Sequence, residues 1–178
     1  MRDRFIKELS GLISEFPNIV LITGDLGFGV LDEFRNLFPD NFINAGVAEQ
    51  NMTGIATGLA LEGKIVFTYS IANFSTLRCL EQIRLDICYP DLPVIIVGTG
   101  SGLSYANLGA THHSMEDIGV MRMLPNMHVI CPGDAIEVKC ALDEALSLQR
   151  PTYIRLGKKG EPVIHKNIPQ FEIGKGIT

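Results

Sequence analysis

The sequence contains no apolar run long enough to cross a lipid bilayer, which takes about 18 consecutive apolar residues or more. Charged residues, glycine or proline interrupt every apolar stretch before that length. The N-terminal stretch from Arg2 to Ser10 also lacks the apolar core of a signal peptide. We therefore expect no membrane association, and the cytoplasm is the expected location.

Excess positive charge and paired cysteines are also missing. The 15 lysines and arginines are outnumbered by 20 aspartates and glutamates, and the net charge of −5 at pH 7 argues against nucleic acid as a partner. The four cysteines form no C-x-x-C pair, and each lies in an apolar stretch where a free thiol packs as a small hydrophobic group. His128 and His165 are isolated in the sequence. The cysteines therefore predict core packing, and neither residue type predicts a metal site.

What the sequence does contain is a regular alternation of helix-like and strand-like segments, within a length of 178 residues that suits one α/β domain. Helical spacing of apolar residues predicts a first helix that ends at Pro17, and continuous short apolar runs predict buried strands. Further helices are predicted at about residues 48–61, 75–88, 115–123 and 135–148, and strands at 18–23, 42–43, 65–69, 94–97, 129–130 and 152–154. This alternation predicts an α/β fold with a mainly parallel sheet between two helical layers.

Two segments interrupt the alternation. Residues 98–114 form a long glycine-rich segment after a predicted strand, where open α/β sheets place their ligands. Residues 158–178 are polar, contain two prolines and show no periodicity. We interpret residues 1–157 as the domain, and residues 158–178 as a linker or the truncated start of a C-terminal domain.

Two glycine motifs approach phosphate-binding sequences without matching them. The glycines of residues 98–102 have G-x-G-x-G spacing, and no helix begins where a phosphate would need one. Gly24-Asp25 with Asn51 approximates a G-D-G…N pattern for Mg²⁺ and diphosphate. Leu26 stands where close approach of a phosphate needs glycine. The sequence therefore predicts no metal or diphosphate site in this chain.

The most informative stretch surrounds Glu49. This residue is predicted in the first turn of a helix of small and apolar residues, in which Gly54 and Gly58 would let another backbone approach closely. One interpretation is a surface glutamate stabilised by the helix dipole. The other is a buried carboxyl, which is costly to keep ionised and must be protonated or hydrogen-bonded to a specific partner.

The stretch Ile43-Asn-Ala-Gly-Val-Ala-Glu-Gln-Asn-Met resembles the G-[VI]-[AR]-E-[QH] signature of transketolases, 1-deoxyxylulose-5-phosphate synthases and 2-oxoacid dehydrogenase beta subunits. The resemblance extends in order over nearly the whole chain, through residues 24–26, 69–75, 78–84, 111–112, 124–127, 131–132 and 151–155. In particular, the chain is similar to the C-terminal part of a split transketolase, whose complete form has a further domain. Residues 1–157 would then be a pyrimidine-binding domain with the thiamine-diphosphate-binding fold.

The resemblance implies cofactor contacts for four residues. Glu49 would be catalytic, because its carboxyl would hydrogen bond N1′ of the thiamine diphosphate aminopyrimidine and so activate the cofactor. Phe74 would lie against the pyrimidine ring, although ordinary core packing needs the same residue. Tyr69 is a further candidate for this pocket. Asp25 aligns with an acidic residue near the cofactor, and a turn or capping role is its alternative.

The resemblance also implies substrate contacts. His112 would be catalytic, through proton transfer or a hydrogen bond to substrate, and a shift of one residue would give this role to His113. Arg155 would bind a substrate phosphate, with a surface ion pair as the alternative. Leu108 stands where relatives often have an acidic residue, and residues 98–99 replace a polar pair. The sugar that the protein uses is therefore not predicted.

Taken as a whole, the resemblance implies a component of a thiamine-diphosphate-dependent transferase that moves a two-carbon ketol unit between sugar phosphates. A diphosphate-binding partner subunit or domain would hold Mg²⁺, in a homodimer or a heterotetramer. A 2-oxoacid dehydrogenase beta-type subunit and a non-catalytic assembly fragment are the alternatives. Residues 124–127 and the Thr111-His112 pair favour a transketolase, and Glu49 argues against the non-catalytic fragment.

Overall fold

The computed structural model describes residues 1–177, which fold around a six-stranded sheet. The strands are β1 (Ile19–Thr23), β2 (Phe42–Asn44), β3 (Ile65–Ile71), β4 (Val94–Thr99), β5 (His128–Ile130) and β6 (Thr152–Leu156). Their order is β2-β1-β3-β4-β6-β5, and every pair of neighbours is parallel. The carboxyl ends of all six strands therefore lie at one edge of the sheet.

Helices connect the strands. They are α1 (Arg2–Leu12), α2 (Asp32–Leu37), α3 (Glu49–Leu61), α4 (Ala72–Thr76), α5 (Leu80–Gln82), α6 (Asp117–Arg122) and α7 (Ala135–Leu148). A 3-10 turn at Leu77–Cys79 joins α4 to α5, which runs into a π-helical segment at Ile83–Cys88. Further 3-10 turns lie at Pro39–Asn41 and Ala106–Leu108. Within residues 1–177, none of these helices has the length and apolar character needed to cross a membrane.

The core consists of two apolar layers, one on each face of the sheet. Successive side chains of a strand point to opposite faces, so Phe67 of β3 enters one layer and the adjacent Val66 enters the other. Helices α1 and α7 cover the Phe67 face, whereas α3 and the π-helical segment cover the Val66 face. The α/β fold with a parallel sheet between two helical layers is thus confirmed.

The structure differs from the sequence predictions in two elements and in the burial of one cysteine. Residues 75–88 were expected as one helix, but α4, a 3-10 turn, α5 and the π-helical segment share this part of the chain. Helix α2 was not predicted, because its six residues bury only Phe34 and carry almost no periodic signal. The prediction of core packing is wrong for Cys131, which is exposed, whereas the other three cysteines are buried.

Residues 157–177 form no helix or strand, yet they pack against the domain. Phe171 and Ile173 contact the core layer beneath α7. His165 Nε2 hydrogen bonds with Glu137 Oε1 at 2.5 Å. The interpretation of residues 158–178 as a linker or the truncated start of a C-terminal domain stays a prediction.

Asp134 joins this C-terminal segment to the start of α7. It is the N-cap residue of the helix and accepts hydrogen bonds from the backbone N–H groups of Ile136 and Glu137. Its other oxygen accepts from the backbone N–H groups of Ile164 and His165, each at 2.9 Å. Burial by itself would raise the pKa of Asp134, but these four hydrogen bonds outweigh it and hold the pKa below its usual range.

Candidate functional site

The loops that follow the strands meet at the carboxyl edge of the sheet, and Asn44 links two of them. Its Oδ1 accepts from the backbone N–H groups of Asp25 and Gly46, both at 3.0 Å, and its Nδ2 donates to Asp25 Oδ1 at 2.9 Å. Asp25 has a φ of 57°, in the left-handed region used at tight turns. Its exposed carboxylate thus serves a turn, in keeping with the alternative interpretation of this residue, and its predicted cofactor contact stays a prediction.

Glu49 lies at the start of α3 with its side chain only 2% exposed. The loop after β1 packs directly on it, since a Cβ placed on Gly24 would be 3.5 Å from Glu49 Cγ. Arg78 Nη1 donates to Glu49 Oε2 at 2.8 Å, and the N-terminal end of α3 also favours a negative charge there. The structure therefore favours the second interpretation of Glu49, a buried carboxyl with a specific partner.

An aromatic ring and a histidine lie beside this ion pair. The Arg78 guanidinium carbon is 4.1 Å from the ring centroid of Phe74, which follows β3 in α4. The His112 ring packs edge-on against the same ring, with centroids 5.1 Å apart. We refer to Glu49, Phe74, Arg78 and His112 as the Glu49 cluster. It brings together residues from three different loops of the carboxyl edge.

The long loop after β4 is fastened so that its two histidines face different ways. Asn73 Nδ2 donates to the Thr111 carbonyl at 2.9 Å, which ties the loop to α4. His112 Nδ1 shares a 2.9 Å hydrogen bond with Thr111 Oγ1, and its ring faces Phe74. His113 Nε2 instead bonds the Ala106 carbonyl, within the loop itself, at 2.9 Å. The structure thus brings His112, and not His113, to the Glu49 cluster.

Arg155, on β6, is held by a buried carboxylate. Its Nε donates to Asp117 Oδ2 at 2.8 Å, and its Nη2 donates to the Ser114 carbonyl at 3.1 Å. The Tyr153 hydroxyl donates to the same Asp117 oxygen at 2.7 Å, so Asp117 fixes both side chains. Arg155 remains 20% exposed. Arg155 thus forms an ion pair, as its alternative interpretation proposes, but with a buried carboxylate. Its contact with a substrate phosphate stays a prediction.

Tyr69 is not part of the Glu49 cluster. Its ring is 1% exposed and stacks on Phe5 of α1, with centroids 5.8 Å apart, in the core layer opposite α3. Burial raises the pKa of its hydroxyl, which has no hydrogen-bond partner within residues 1–177. The geometry gives no support to the predicted cofactor contact of Tyr69.

The Glu49 cluster offers a ligand one oxygen acceptor and no group of metal ligands within residues 1–177. Oε1 of Glu49 forms no hydrogen bond with any residue from 1 to 177, so it is available to a ligand donor. In the same described part of the chain, no three histidine, cysteine, aspartate or glutamate side chains are grouped to hold a metal. Arg78 links the buried carboxyl of Glu49 to the aromatic ring of Phe74.

Comparison with known proteins assigns the domain. Residues 1–161 match the family described as transketolase, pyrimidine binding domain. The chain belongs to the transketolase pyrimidine-binding domain family. The resemblance inferred from its motifs is therefore confirmed, and the family implies thiamine diphosphate as the cofactor.

The relatives of this transketolase pyrimidine-binding domain include separate subunits. It is 41% identical to a transketolase C-terminal section of Methanocaldococcus jannaschii, over 99% of this chain and 57% of that protein. It is 37% identical to an apulose-4-phosphate transketolase subunit of Actinobacillus succinogenes, over 98% of this chain and 55% of that protein. The chain thus spans about half the length of the curated relatives it matches.

A solved structure supports the same fold assignment for the domain. The structure described as a split gene transketolase, inactive beta4 tetramer, superposes with a TM-score of 0.86 at 40% identity. The match covers 96% of this chain and 55% of that one. The predicted thiamine-diphosphate-binding fold of the pyrimidine domain is confirmed by this similarity.

Three residues of the site region had no role in the sequence interpretation: Asn73, Arg78 and Asp117. Asn73 and Arg78 lie in stretches that carry the family resemblance. The resemblance singled out these stretches, but the sequence did not show which residues Asn73 and Arg78 would contact. Asp117 offered only the weak signal of an acidic residue at the start of a helix. In each case the partner lies 29 or more residues away in the chain, and only the fold brings the two together.

Proposed function

We propose that this chain is the pyrimidine-binding component of a thiamine-diphosphate-dependent transketolase-like enzyme, which transfers a two-carbon ketol unit between sugar phosphates. The observation that carries the proposal is the buried Glu49 carboxyl, which has one oxygen available and is linked through Arg78 to the ring of Phe74. Relatives named as transketolase subunits favour this function over a 2-oxoacid dehydrogenase beta-type subunit. Retention of the Glu49 cluster argues against a non-catalytic fragment.

Within this proposal, Glu49 exchanges a proton with the cofactor. When bound, thiamine diphosphate supplies the acidic carbon and the electron sink needed to break and form carbon–carbon bonds. Glu49 Oε1 shares a proton with N1′ of the aminopyrimidine. Because the side chain is only 2% exposed, water does not compete for this hydrogen bond. Phe74 provides the face on which the pyrimidine packs.

His112 and Arg155 are the proposed substrate contacts. His112 uses Nδ1 in its bond to Thr111, so Nε2 is the nitrogen that can donate to or accept from a substrate oxygen. His113 is already bonded to its own loop, which supports His112 as the active histidine. Arg155 uses Nε and Nη2 for Asp117 and Ser114, and its Nη1 remains for a phosphate oxygen.

A partner subunit or domain completes the proposed site. The loop after β1 has Leu26 at the position where the G-D-G pattern needs its second glycine, and Oδ1 of Asp25 is bonded to Asn44. We therefore assign diphosphate and Mg²⁺ binding to the partner, in a homodimer or a heterotetramer. The Gly54 and Gly58 face of α3 supports such an assembly, since it is exposed and a Cβ added at either glycine would meet nothing within 4 Å.

Reconstitution tests the proposal. The chain is purified from its native host with its companion, the companion is identified, and ketol transfer from a ketose phosphate to an aldose phosphate is measured with thiamine diphosphate and Mg²⁺. We expect activity from the complex, none from the chain alone, and a loss of at least about a hundredfold for Glu49→Gln. A Glu49→Gln complex with parental activity would contradict the proposal.

A further inference from the structure

We infer that Arg78 is a positioning residue of the cofactor site. It pairs with Oε2 of the Glu49 carboxyl and so holds the carboxyl with Oε1 facing the aminopyrimidine. This inference rests on the proposed function, because it names a further residue that acts on the same carboxyl. The evidence lies in the contacts of Arg78 with Glu49 and Phe74.

The ion pair distinguishes the two oxygens of Glu49. Arg78 Nη1 lies 2.8 Å from Oε2, and no other ion pair involves Glu49 in residues 1–177. A carboxylate that is 2% exposed needs such a partner, since an unpaired buried charge is strongly unfavourable. With Oε2 occupied, Oε1 is the oxygen left for a ligand. Arg78 therefore determines which oxygen meets the cofactor.

Arg78 is itself held in place on two sides. Its guanidinium lies over the Phe74 ring, 4.1 Å from the centroid, where a cation is attracted by the ring electrons. Its backbone carbonyl accepts a hydrogen bond from Gln50 Nε2 at 3.2 Å, which ties it to the first turn of α3. The direction of the Glu49 carboxyl is thereby coupled to the position of the ring that stacks on the pyrimidine.

The charge of Arg78 also acts on the proton transfer. A nearby positive charge stabilises the ionised form of a carboxyl. If Oε1 gave its proton to N1′, the carboxylate that remains would keep its ion pair with Arg78. No bond other than O–H and N–H changes. Without Arg78 the same transfer would leave a buried carboxylate without an ion-pair partner.

A comparison of two ligands separates this role from a purely structural one. The complex of the chain with its companion subunit is titrated, under NMR observation, with thiamine diphosphate and with an analogue in which carbon replaces N1′. The variants are Arg78→Met, Arg78→Lys and Glu49→Gln. Arg84→Met is the matched control, because Arg84 is exposed and forms no ion pair with a residue from 1 to 177. Thermal unfolding of each variant confirms that it is folded.

We expect Arg78→Met to weaken binding of thiamine diphosphate about tenfold, which corresponds to the loss of one charge-assisted hydrogen bond, and to leave binding of the carbon analogue nearly unchanged. Arg78→Lys, which keeps the charge but not the planar fork, should fall between parent and Arg78→Met. Arg84→Met should bind both ligands as the parent does. Affinities in this order would support the positioning role.

Two results would overturn it. Equal weakening of both ligands by Arg78→Met would mean that Arg78 only maintains the fold of the pocket. Tighter binding by Arg78→Met would mean that the guanidinium occupies the place of the pyrimidine on Phe74. The proposed function has its own readout, since Glu49→Gln should abolish the preference for thiamine diphosphate over the analogue. If Glu49→Gln kept that preference, or if the parent complex bound neither ligand, the proposed function would fail and the inference with it.

Discussion

Replacing Glu49 by glutamine should lower turnover far more than cofactor affinity. The amide keeps the shape of the side chain and one hydrogen bond, but it cannot share a proton with N1′. The loss of a positioned proton-transfer group typically lowers a rate by about 10²- to 10⁴-fold, or about 2.7 to 5.5 kcal/mol of activation free energy. Cofactor affinity should fall much less, because the diphosphate is held by the proposed partner.

The same substitution should cost little folding stability. It breaks the 2.8 Å ion pair with Arg78, but Arg78 is 44% exposed and its guanidinium can regain water. The amide that replaces the buried carboxylate carries no net charge to desolvate. We therefore expect the free energy of unfolding to fall by about 1 kcal/mol or less. A loss of turnover of about a hundredfold or more in Glu49→Gln could then not be attributed to unfolding of the variant.

Hydrogen–deuterium exchange at C2 of the cofactor, followed by NMR in the reconstituted enzyme, measures the activation step alone. Exchange should slow sharply in Glu49→Gln. In the matched variant His112→Ala, substrate use should be impaired while exchange stays nearly intact, since His112 is assigned to the substrate. Urea unfolding of both variants is the control. Exchange and turnover at parental rates in Glu49→Gln would refute the assignment.

The isolated chain should bind thiamine diphosphate weakly, because Leu26 replaces the glycine that a diphosphate site needs; a submicromolar dissociation constant in calorimetry with Mg²⁺ would contradict this. Self-association or pairing is expected through the α3 face around Gly54 and Gly58, which is apolar and exposed. A strict monomer in sedimentation at high concentration would count against self-association. Asp134→Asn should lower the free energy of unfolding at pH 7 by about 1 to 2 kcal/mol, because the amide oxygen can keep the cap of α7 but the amide nitrogen cannot accept from the backbone N–H groups of Ile164 and His165. Because the folded pKa of Asp134 lies below its usual range, the stability it contributes is present above the unfolded pKa of about 3.9 and is lost as pH falls through the folded value. Denaturant unfolding should show the free energies of unfolding of parent and variant converging as pH falls through the folded pKa, and a constant difference would be inconsistent with this linkage.

Local sequence patterns were sufficient for the elements that bury a regular face. Helix α7 was predicted with the observed bounds of Ala135–Leu148, because its apolar residues recur at helical spacing after an N-cap aspartate. The strands were predicted from continuous apolar runs, which arise because both faces of a parallel sheet are covered. The break at Leu77–Cys79 could not be predicted, since it depends on how the chain leaves β3 to place Phe74 and Arg78 at the carboxyl edge.

The candidate site was only partly predictable for a related reason. Glu49, Phe74 and His112 lie in stretches that resemble a known family, and the structure brings them together. Tyr69 came from the same stretches, yet strand alternation turns its side chain to the opposite face of the sheet. The roles of Arg78 and Asp117 depend on contacts between segments 29 and 38 residues apart, and no local pattern encodes such a contact.

The two edge strands of the sheet have a consequence for how copies of the chain can associate. Strands β2 and β5 are each three residues long, so little unpaired backbone is available for a strand of another molecule. Asn41, just before β2, also donates its side-chain amide to the Ile19 carbonyl at 2.6 Å and covers an acceptor there. Growth of a continuous sheet between molecules is therefore disfavoured. We therefore expect copies of the chain, or the chain and a partner, to associate through helical faces. At such faces the shape of the side chains, and not backbone pairing, selects the partner.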